Sequence, residues 1–265
     1  MARFDPHPDR RPAVVTGAGS GIGRSIAVGL AAAGHPVVLA ARRVERCEEV
    51  AAAIRADGGE AVALRLDVTD PDEVERFAAA AADAFGGIEV LVSNAGDVQP
   101  VTVTGATPEV FAAQLAVNLA GPQMLLRALV PEMVERRRGD VVLVTSEVAV
   151  RPRPRMAGYV AAKSGLEGLA DALRMELEGT GVRVGIVRPG PTFSEQGSDW
   201  DAAAIGAVIE EWQRFGLMRH DGVMQPGAVA AAVLAMVGMP RGASLTIVEA
   251  QPEPPVRRPT PDGAA

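Results

Sequence analysis

Ala13-Val14-Val15-Thr16 runs without a break into Gly17-Ala18-Gly19-Ser20-Gly21-Ile22-Gly23, and Arg24 to Ala33 follow with apolar residues at helical spacing. A short β-branched run, a glycine-rich turn and a helix, in that order, form the opening unit of a βαβ fold. The glycines let the backbone turn tightly, let it approach a pyrophosphate, and let the helix pack close to the strand while its N-terminus faces the anion. The sequence of elements carries the argument, because glycine-rich turns also occur in proteins that bind no nucleotide.

Outward from this unit the alternation continues. Further apolar, β-branched runs begin near Pro36 (PVVLAA), Ala61 (AVALRL), Val90 (VLVS), Val141 (VVLVTS), Val182 (VRVGIV) and Leu245 (LTIV), with longer Ala-rich segments between them. Seven strands alternating with helices predict an α/β, three-layer, doubly wound parallel sheet of the Rossmann type. Asp70-Pro71 with Glu73 reads as an N-cap, a first-turn proline and a capping-box acid; Thr107-Pro108 repeats the first two. One dinucleotide-binding catalytic domain is expected over 13–250, between an N-terminal tail, 1–12, and a Pro-rich C-terminal tail, 251–265. The stretch from about Pro191 to Gln225 breaks the alternation and holds both tryptophans, Trp200 and Trp212. It leaves the carboxyl end of the sixth strand, where ligands bind in open α/β sheets, and so reads as a substrate lid (191–225); a surface excursion packed for stability is the alternative.

Composition bounds the function. The chain has 265 residues, 48% of them hydrophobic and 22% charged, enough for one sizeable core. A net charge of −7 argues against nucleic acid as a partner, since phosphate binding needs a basic footprint. The lone Cys47 has no internal disulfide partner, Met1 to Pro12 lack the apolar core of a signal peptide, and no apolar run nears the roughly 18 residues of a membrane helix. A cytoplasmic protein with no membrane partner is expected. His7, His35 and His220 are too scattered for a metal site, and none is expected.

The remaining motifs arrive in order along the chain. Ser93-Asn94-Ala95-Gly96 closes the fourth strand; Val117-Asn118-Leu119-Ala120-Gly121 sits in a helical segment; Ser146 ends the fifth strand; Tyr159 and Lys163, at i and i+4, share one helix face. Tyr159 is the only Tyr and Lys163 the only Lys, the other 25 basic residues being Arg, and Asn94 and Asn118 are the only asparagines. Such scarcity suggests a bias that replaces these residues wherever a substitute serves. Arg replaces Lys on most surfaces but not where a compact ammonium must fit.

With its T-G-x-x-x-G-x-G turn at Gly17, Gly21 and Gly23, its N-A-G, its helical Asn, and a Ser-to-Tyr gap of 13 residues followed by Y-x-x-x-K, the chain resembles the short-chain dehydrogenase/reductase family over almost all of its folded length. The resemblance implies hydride transfer between a nicotinamide cofactor and a carbonyl or alcohol carbon of a small molecule. Ser146 would hydrogen-bond the oxygen and Tyr159 would give or take its proton. Lys163 would bind the nicotinamide ribose and lower the Tyr pKa, and Asn118 would continue a relay through water. It implies cofactor contacts at Gly17, Ser20, Gly21, Ile22, Gly23, Asp67, Val68, Asn94, Ala95, Gly96, Tyr159, Lys163, Pro189 and Gly190. Where members often carry Thr, this chain has Ser194, with Thr192 two residues before it, and either hydroxyl could hold the carboxamide. Assembly as a homodimer or homotetramer is also implied.

Cofactor choice is read at the end of the second strand, where an acid would accept the ribose hydroxyls of NAD and an Arg the 2′-phosphate of NADP. Leu39-Ala40-Ala41-Arg42-Arg43 offers no acid, so Arg42 and Arg43 favour NADP over NAD. Arg151, Arg153 and Arg155 could greet an anionic substrate, or form a solvated loop. Two other readings stay open: a cofactor-binding regulatory protein on the same fold, and an epimerase, dehydratase or imine reductase using the same Tyr.

Overall fold

A computed structural model describes residues 5–195, 197, 200–218 and 220–255. All seven expected strands form one parallel sheet in the order β3-β2-β1-β4-β5-β6-β7. They span Ala13–Thr16 (β1), Val37–Ala41 (β2), Ala61–Arg65 (β3), Val90–Ser93 (β4), Gly139–Val144 (β5), Val182–Pro189 (β6) and Ile247–Ala250 (β7). β1, β4 and β5 are buried throughout, which is why they read as unbroken apolar runs instead of alternating ones.

The helices are α1 (Gly21–Ala32), α2 (Val44–Ala56), α3 (Pro71–Phe85), α4 (Pro108–Leu115), α5 (Gly121–Glu135), α6 (Ala157–Glu176), α7 (Ala202–Arg214) and α8 (Pro226–Val237). Ile26 and Leu30 of α1, Val50 and Ile54 of α2 and Val229 and Val233 of α8 fill one face of the sheet. Phe77 of α3, Leu125 and Leu129 of α5 and Leu166 of α6 fill the other. Three helices on each face make the three-layer sandwich. Asp70 and Thr107 cap as expected, Asp70 accepting hydrogen bonds from the Asp72 and Glu73 amides and Thr107 one from Val110. Glu73 does not close a capping box: its carboxylate accepts from the Asp67 amide at 2.8 Å, while the Asp70 amide donates to the Asp67 carbonyl. Strand order reverses between β1 and β4, so the ligand crevice lies beyond their carboxyl ends.

Two boundaries differ from the sequence reading. The segment expected as an N-terminal tail packs against the sheet from His7 onward: His7 Nε2 lies 3.2 Å from the Met239 carbonyl, Pro12 is buried, and Arg11 is only 2% exposed. Arg11 pairs with Asp140 and Glu89, and Arg183 pairs with Asp140 at 2.5 Å, closing the amino-terminal edge of the sheet with buried charge. At the other end, Gln251 donates to Glu147 (3.1 Å) and Glu249 (3.0 Å), so the expected C-terminal tail begins inside the fold; 256–265 lie outside the described residues. Among the described residues no helix is long and apolar enough to cross a membrane.

Candidate active site

The glycine-rich turn is shaped by what surrounds it. Gly17 and Gly21 take positive φ, +67° and +52°, the left-handed region that only glycine enters freely. A Cβ on Gly23 would lie 2.2 Å from the Gly17 carbonyl and 2.6 Å from the Asn94 amide nitrogen, so the strand, turn and helix touch backbone to backbone. Ser20 caps α1 in extended conformation without a side-chain hydrogen bond. The first helical bond runs from Arg24 N to the Ser20 carbonyl, which leaves the N–H groups of Gly21, Ile22 and Gly23 without helical acceptors at the positive end of the helix dipole. This cradle suits a diphosphate.

Thr16 ties the turn to the end of β4. Its hydroxyl oxygen accepts from the Asn94 and Ala95 amides, both at 3.0 Å, while Asn94 Nδ2 donates to the Thr16 carbonyl at 2.9 Å. The one-atom reach of the Thr side chain across two strand ends gives no local sequence pattern, so the T-G motif that contains Thr16 does not disclose this tie. Asp67 closes its own turn, accepting from the Thr69 amide (3.0 Å) and hydroxyl (2.7 Å). Burial opposes ionisation of Asp67, but these bonds and nearby Arg42 and Arg65 hold its carboxyl below the usual range. Val68 is buried against Gly121, where a Cβ would lie 2.8 Å from the Val68 carbonyl oxygen and 2.9 Å from its side chain.

Past β4, Gly96 approaches two of the singled-out residues at once: a Cβ there would lie 2.8 Å from Asn118 Oδ1 and 3.6 Å from Lys163 Nζ. Asn118 sits in a π-helical turn, Ala116–Ala120, that interrupts the run from α4 into α5. Such one-turn interruptions favour functional positions. Its Nδ2 donates to the carbonyls of Asp97 (2.8 Å) and Gln114 (2.9 Å), and its Oδ1 accepts from the Asp97 amide at 3.2 Å. The side chain is therefore committed to holding the 96–97 loop. Buried Gln114, unnoticed in the sequence, donates to the Asp97 carboxylate at 3.2 Å and lies beneath Gly158 of α6.

Ser146 follows the end of β5 by two residues and is nearly buried; its Oγ accepts from the Val148 amide at 3.3 Å, so its proton is available to another acceptor. Tyr159 and Lys163 lie one turn apart on the buried face of α6. Lys163 Nζ donates to the Val144 carbonyl at 2.9 Å, which ties α6 to the strand end that carries Ser146, and stands 5.6 Å from the Tyr159 ring centre. Burial lowers the Lys163 pKa to about 8. The ammonium form is thereby made costly and responsive to a neighbouring negative charge.

After β6, Pro189-Gly190 packs against Gln251, and Thr192 donates from its hydroxyl to the Gly190 carbonyl at 2.9 Å while pairing with Met224. Ser194 lies over Gly21, where a Cβ on the glycine would be 3.5 Å from Ser194 Cβ. The two hydroxyls thus face different ends of the crevice. Next to Ser194, Glu195 accepts from Arg46 (2.5 Å) and Arg43 (3.4 Å) of the second βα unit. Arg46 carries no sequence signal, because it is one arginine among many on a helix.

The segment expected as a lid contains a helix, α7, capped by Asp201 at the Ala204 amide. It lies over the active-site side of the sheet: Trp200 Nε1 donates to the Val98 carbonyl and Trp212 Nε1 to the Pro154 carbonyl, both at 3.1 Å. The three arginines expected to meet an anion or form a solvated loop are each paired with a carboxylate, and Arg151 remains exposed to solvent. Arg153 pairs with buried Glu147 and stacks on Trp212, Arg155 pairs with Glu211 (2.8 Å), and Arg151 with Glu249 (2.6 Å). Arg155 adopts a φ of +61°, a strained turn held by that pair.

A parallel seven-stranded sheet with a glycine-rich turn after β1, and with Ser146, Tyr159 and Lys163 set around the end of β5, defines a Rossmann-type α/β protein. The chain belongs to the short-chain dehydrogenase/reductase family: residues 11–204 match the family described as short chain dehydrogenase. It is 34% identical over 202 residues to a short chain dehydrogenase of Pseudocercospora fijiensis, covering 76% of this chain and 65% of that one. It is 32% identical over 235 residues to a 3-oxoacyl-[acyl-carrier-protein] reductase of Synechocystis, covering 88% and 92%. Among solved structures, the alcohol dehydrogenase of the archaeon Thermococcus sibiricus complexed with 5-hydroxy-NADP superposes with a TM-score of 0.80 at 27% identity, over 95% of this chain and 99% of that one. Of the curated relatives it matches, the chain spans 65% of the length of one and 19% of another.

Proposed function

We propose that the protein transfers a hydride between NADP(H), in preference to NAD(H), and the carbonyl or secondary alcohol carbon of a small molecule. One observation carries this reading: Tyr159 and Lys163 are buried on one face of α6, with the ammonium anchored on Val144, beside the open N-terminus of α1. The nicotinamide complex of the related alcohol dehydrogenase supports the cofactor.

The chain's residues divide the work. The N–H groups of Gly21, Ile22 and Gly23, with Ser20 and Ser194 beside them, would hold the diphosphate. Asp67, the main chain at Val68, and Asn94, Ala95 and Gly96 would line the adenosine side. Thr192, next to Pro189-Gly190, would take the carboxamide. Arg42, Arg43 and Arg46 would receive the 2′-phosphate, a contact no acid at Ala41 opposes. When bound, the nicotinamide supplies or accepts the hydride. Ser146 Oγ donates to the substrate oxygen, and the Tyr159 hydroxyl gives the proton to that oxygen during reduction or removes it during oxidation. Lys163 favours the phenolate by its charge and orients the ribose. Because the Asn118 side chain is spent on Asp97 and Gln114, its part is to fix the loop carrying Gly96; a relay through water would use its main chain.

Assembly as a homodimer or homotetramer belongs to the same reading, supported by the uncharged exposed positions Gly227, Ala228, Ala231 and Ala235 of α8. Calorimetric titration with NADPH and NADH, alongside turnover of a ketone panel, tests the proposal. NADPH should bind more tightly, and Tyr159→Phe should bind it undiminished while losing turnover. Tighter NADH binding would reject the cofactor assignment, and an active Tyr159→Phe the role of the phenol.

A further inference from the structure

Tyr159 packs with Val98, Val148 and Met156, and Trp200 and Trp212 lie against the same cluster. Each indole has one polar atom, and in both it is already bonded to a main-chain carbonyl. The rings therefore offer only hydrocarbon to a ligand. Around this cup, the three arginines of 151–155 are each matched: Arg151 by Glu249, Arg153 by Glu147, Arg155 by Glu211. Asp97, held by Gln99 and Gln114 next to Val98, has no ion-pair partner among the described residues. The other charge beside the cup, the Lys163 ammonium, is buried and bonded to the Val144 carbonyl.

An anionic substrate would have to take an arginine from its carboxylate and approach Asp97, because the one cation without a carboxylate there among the described residues, Lys163, is buried beneath the site and bonded to Val144. A cationic substrate fares little better, because the Trp212 face that would hold it is covered by Arg153 at 4.6 Å. Resting on the oxidoreductase reading above, we infer that the site takes an uncharged, predominantly apolar carbonyl compound or its alcohol, and that the pairing of Arg151, Arg153 and Arg155 excludes carboxylate- and phosphate-bearing substrates.

Three ketones of nearly equal shape test this: 4-tert-butylacetophenone, 4-acetylbenzoate and (4-acetylphenyl)trimethylammonium. The chain's two tryptophans both lie at the site. Binding to the NADP⁺-loaded protein can therefore be read as quenching of intrinsic fluorescence, independently of turnover with NADPH. The neutral ketone should lead both charged ones by at least about tenfold, in quenching affinity and in kcat/KM. Any other order, or no quenching by any of the three, overturns the inference. Quenching in the expected order without turnover would uphold it and reject hydride transfer instead. Glu211→Gln, a partly exposed position on α7, strands Arg155 and should raise the use of 4-acetylbenzoate relative to the neutral ketone at least about threefold, or about 0.65 kcal/mol. An unchanged ratio would show that ion pairing is not what excludes anions.

Discussion

Lys163 is where the scarcity of a residue type and the geometry of the site meet. Its ammonium is 3% exposed, bonded to Val144 and close to Gly96, a pocket that fits a compact donor and leaves no room for a planar guanidinium. Charge alone would let Arg serve; shape forbids it. Purified Lys163→Arg should remain folded and retain less than about a tenth of wild-type kcat, a loss above roughly 1.4 kcal/mol. Retention of more would make charge the whole of its role. Burial also has a thermodynamic signature. The folded pKa is about 8, below the ordinary 10.5, so between those values the unfolded chain binds more protons and stability rises with pH; below about 8 the penalty is fully present. Lys163→Met should accordingly gain on the wild type by up to roughly 3 kcal/mol more at pH 7 than at pH 10.5, read from urea unfolding at the two values. A difference independent of pH would mean that burial does not burden the charged form. Ser146, Tyr159, Lys163 and the glycines stand out as candidates because their spacing along the chain forms motifs. Gln114, and the tie that Thr16 makes to Asn94, do not, since the partners lie 17 and 78 residues away.

At the scale of elements, the lid and the second βα unit are joined by one carboxylate. Glu195 bridges Arg43 and Arg46, the guanidinium groups that the cofactor's 2′-phosphate would engage. Phosphate and Glu195 therefore compete for the same donors. Glu195→Gln should tighten NADPH binding about threefold at low salt while leaving NADH unchanged, with the gain shrinking as salt screens these exposed charges. Equal effects on both cofactors, measured by calorimetry, would separate Glu195 from the phosphate site. The central strands were legible because parallel strands buried on both faces are continuous apolar runs, and the partly exposed edge strands β3 and β7 because they keep short apolar runs of their own. The helix inside the lid was passed over, although Asp201 and the Ala-rich run after it are the usual signs of one; two tryptophans and scattered glycines drew the reading toward irregular chain. The pairing of the arginines of 151–155 is a different case. Glu211 and Glu249 reach them only through folding, and no local pattern announces it.

Over the whole molecule, the two edges of the sheet differ in kind. The carboxyl edge carries the crevice; the amino edge is shut by Arg11, Glu89, Asp140 and Arg183. Removing one member of such a group leaves its partners charged and dry, so Arg11→Ala should cost about 3–5 kcal/mol in urea unfolding, and truncation to Ala13 should be at least as damaging. A cost below about 1 kcal/mol would return Arg11 to the status of a tail residue. The sequence hid this because Arg between prolines near a terminus reads as solvated, and its counter-charges stand at the starts of β4 and β5. A separate consequence follows from the placement of the lysine. The interior of α6 contains the only side-chain amine in the chain, so a lysine-specific protease has one peptide bond to cut, and that bond lies where the helix must open before an enzyme can reach it. Amine-directed cleavage would leave the native protein whole and divide it into two fragments when the helix at the centre of the site comes apart, which makes each cut molecule a record of that one event.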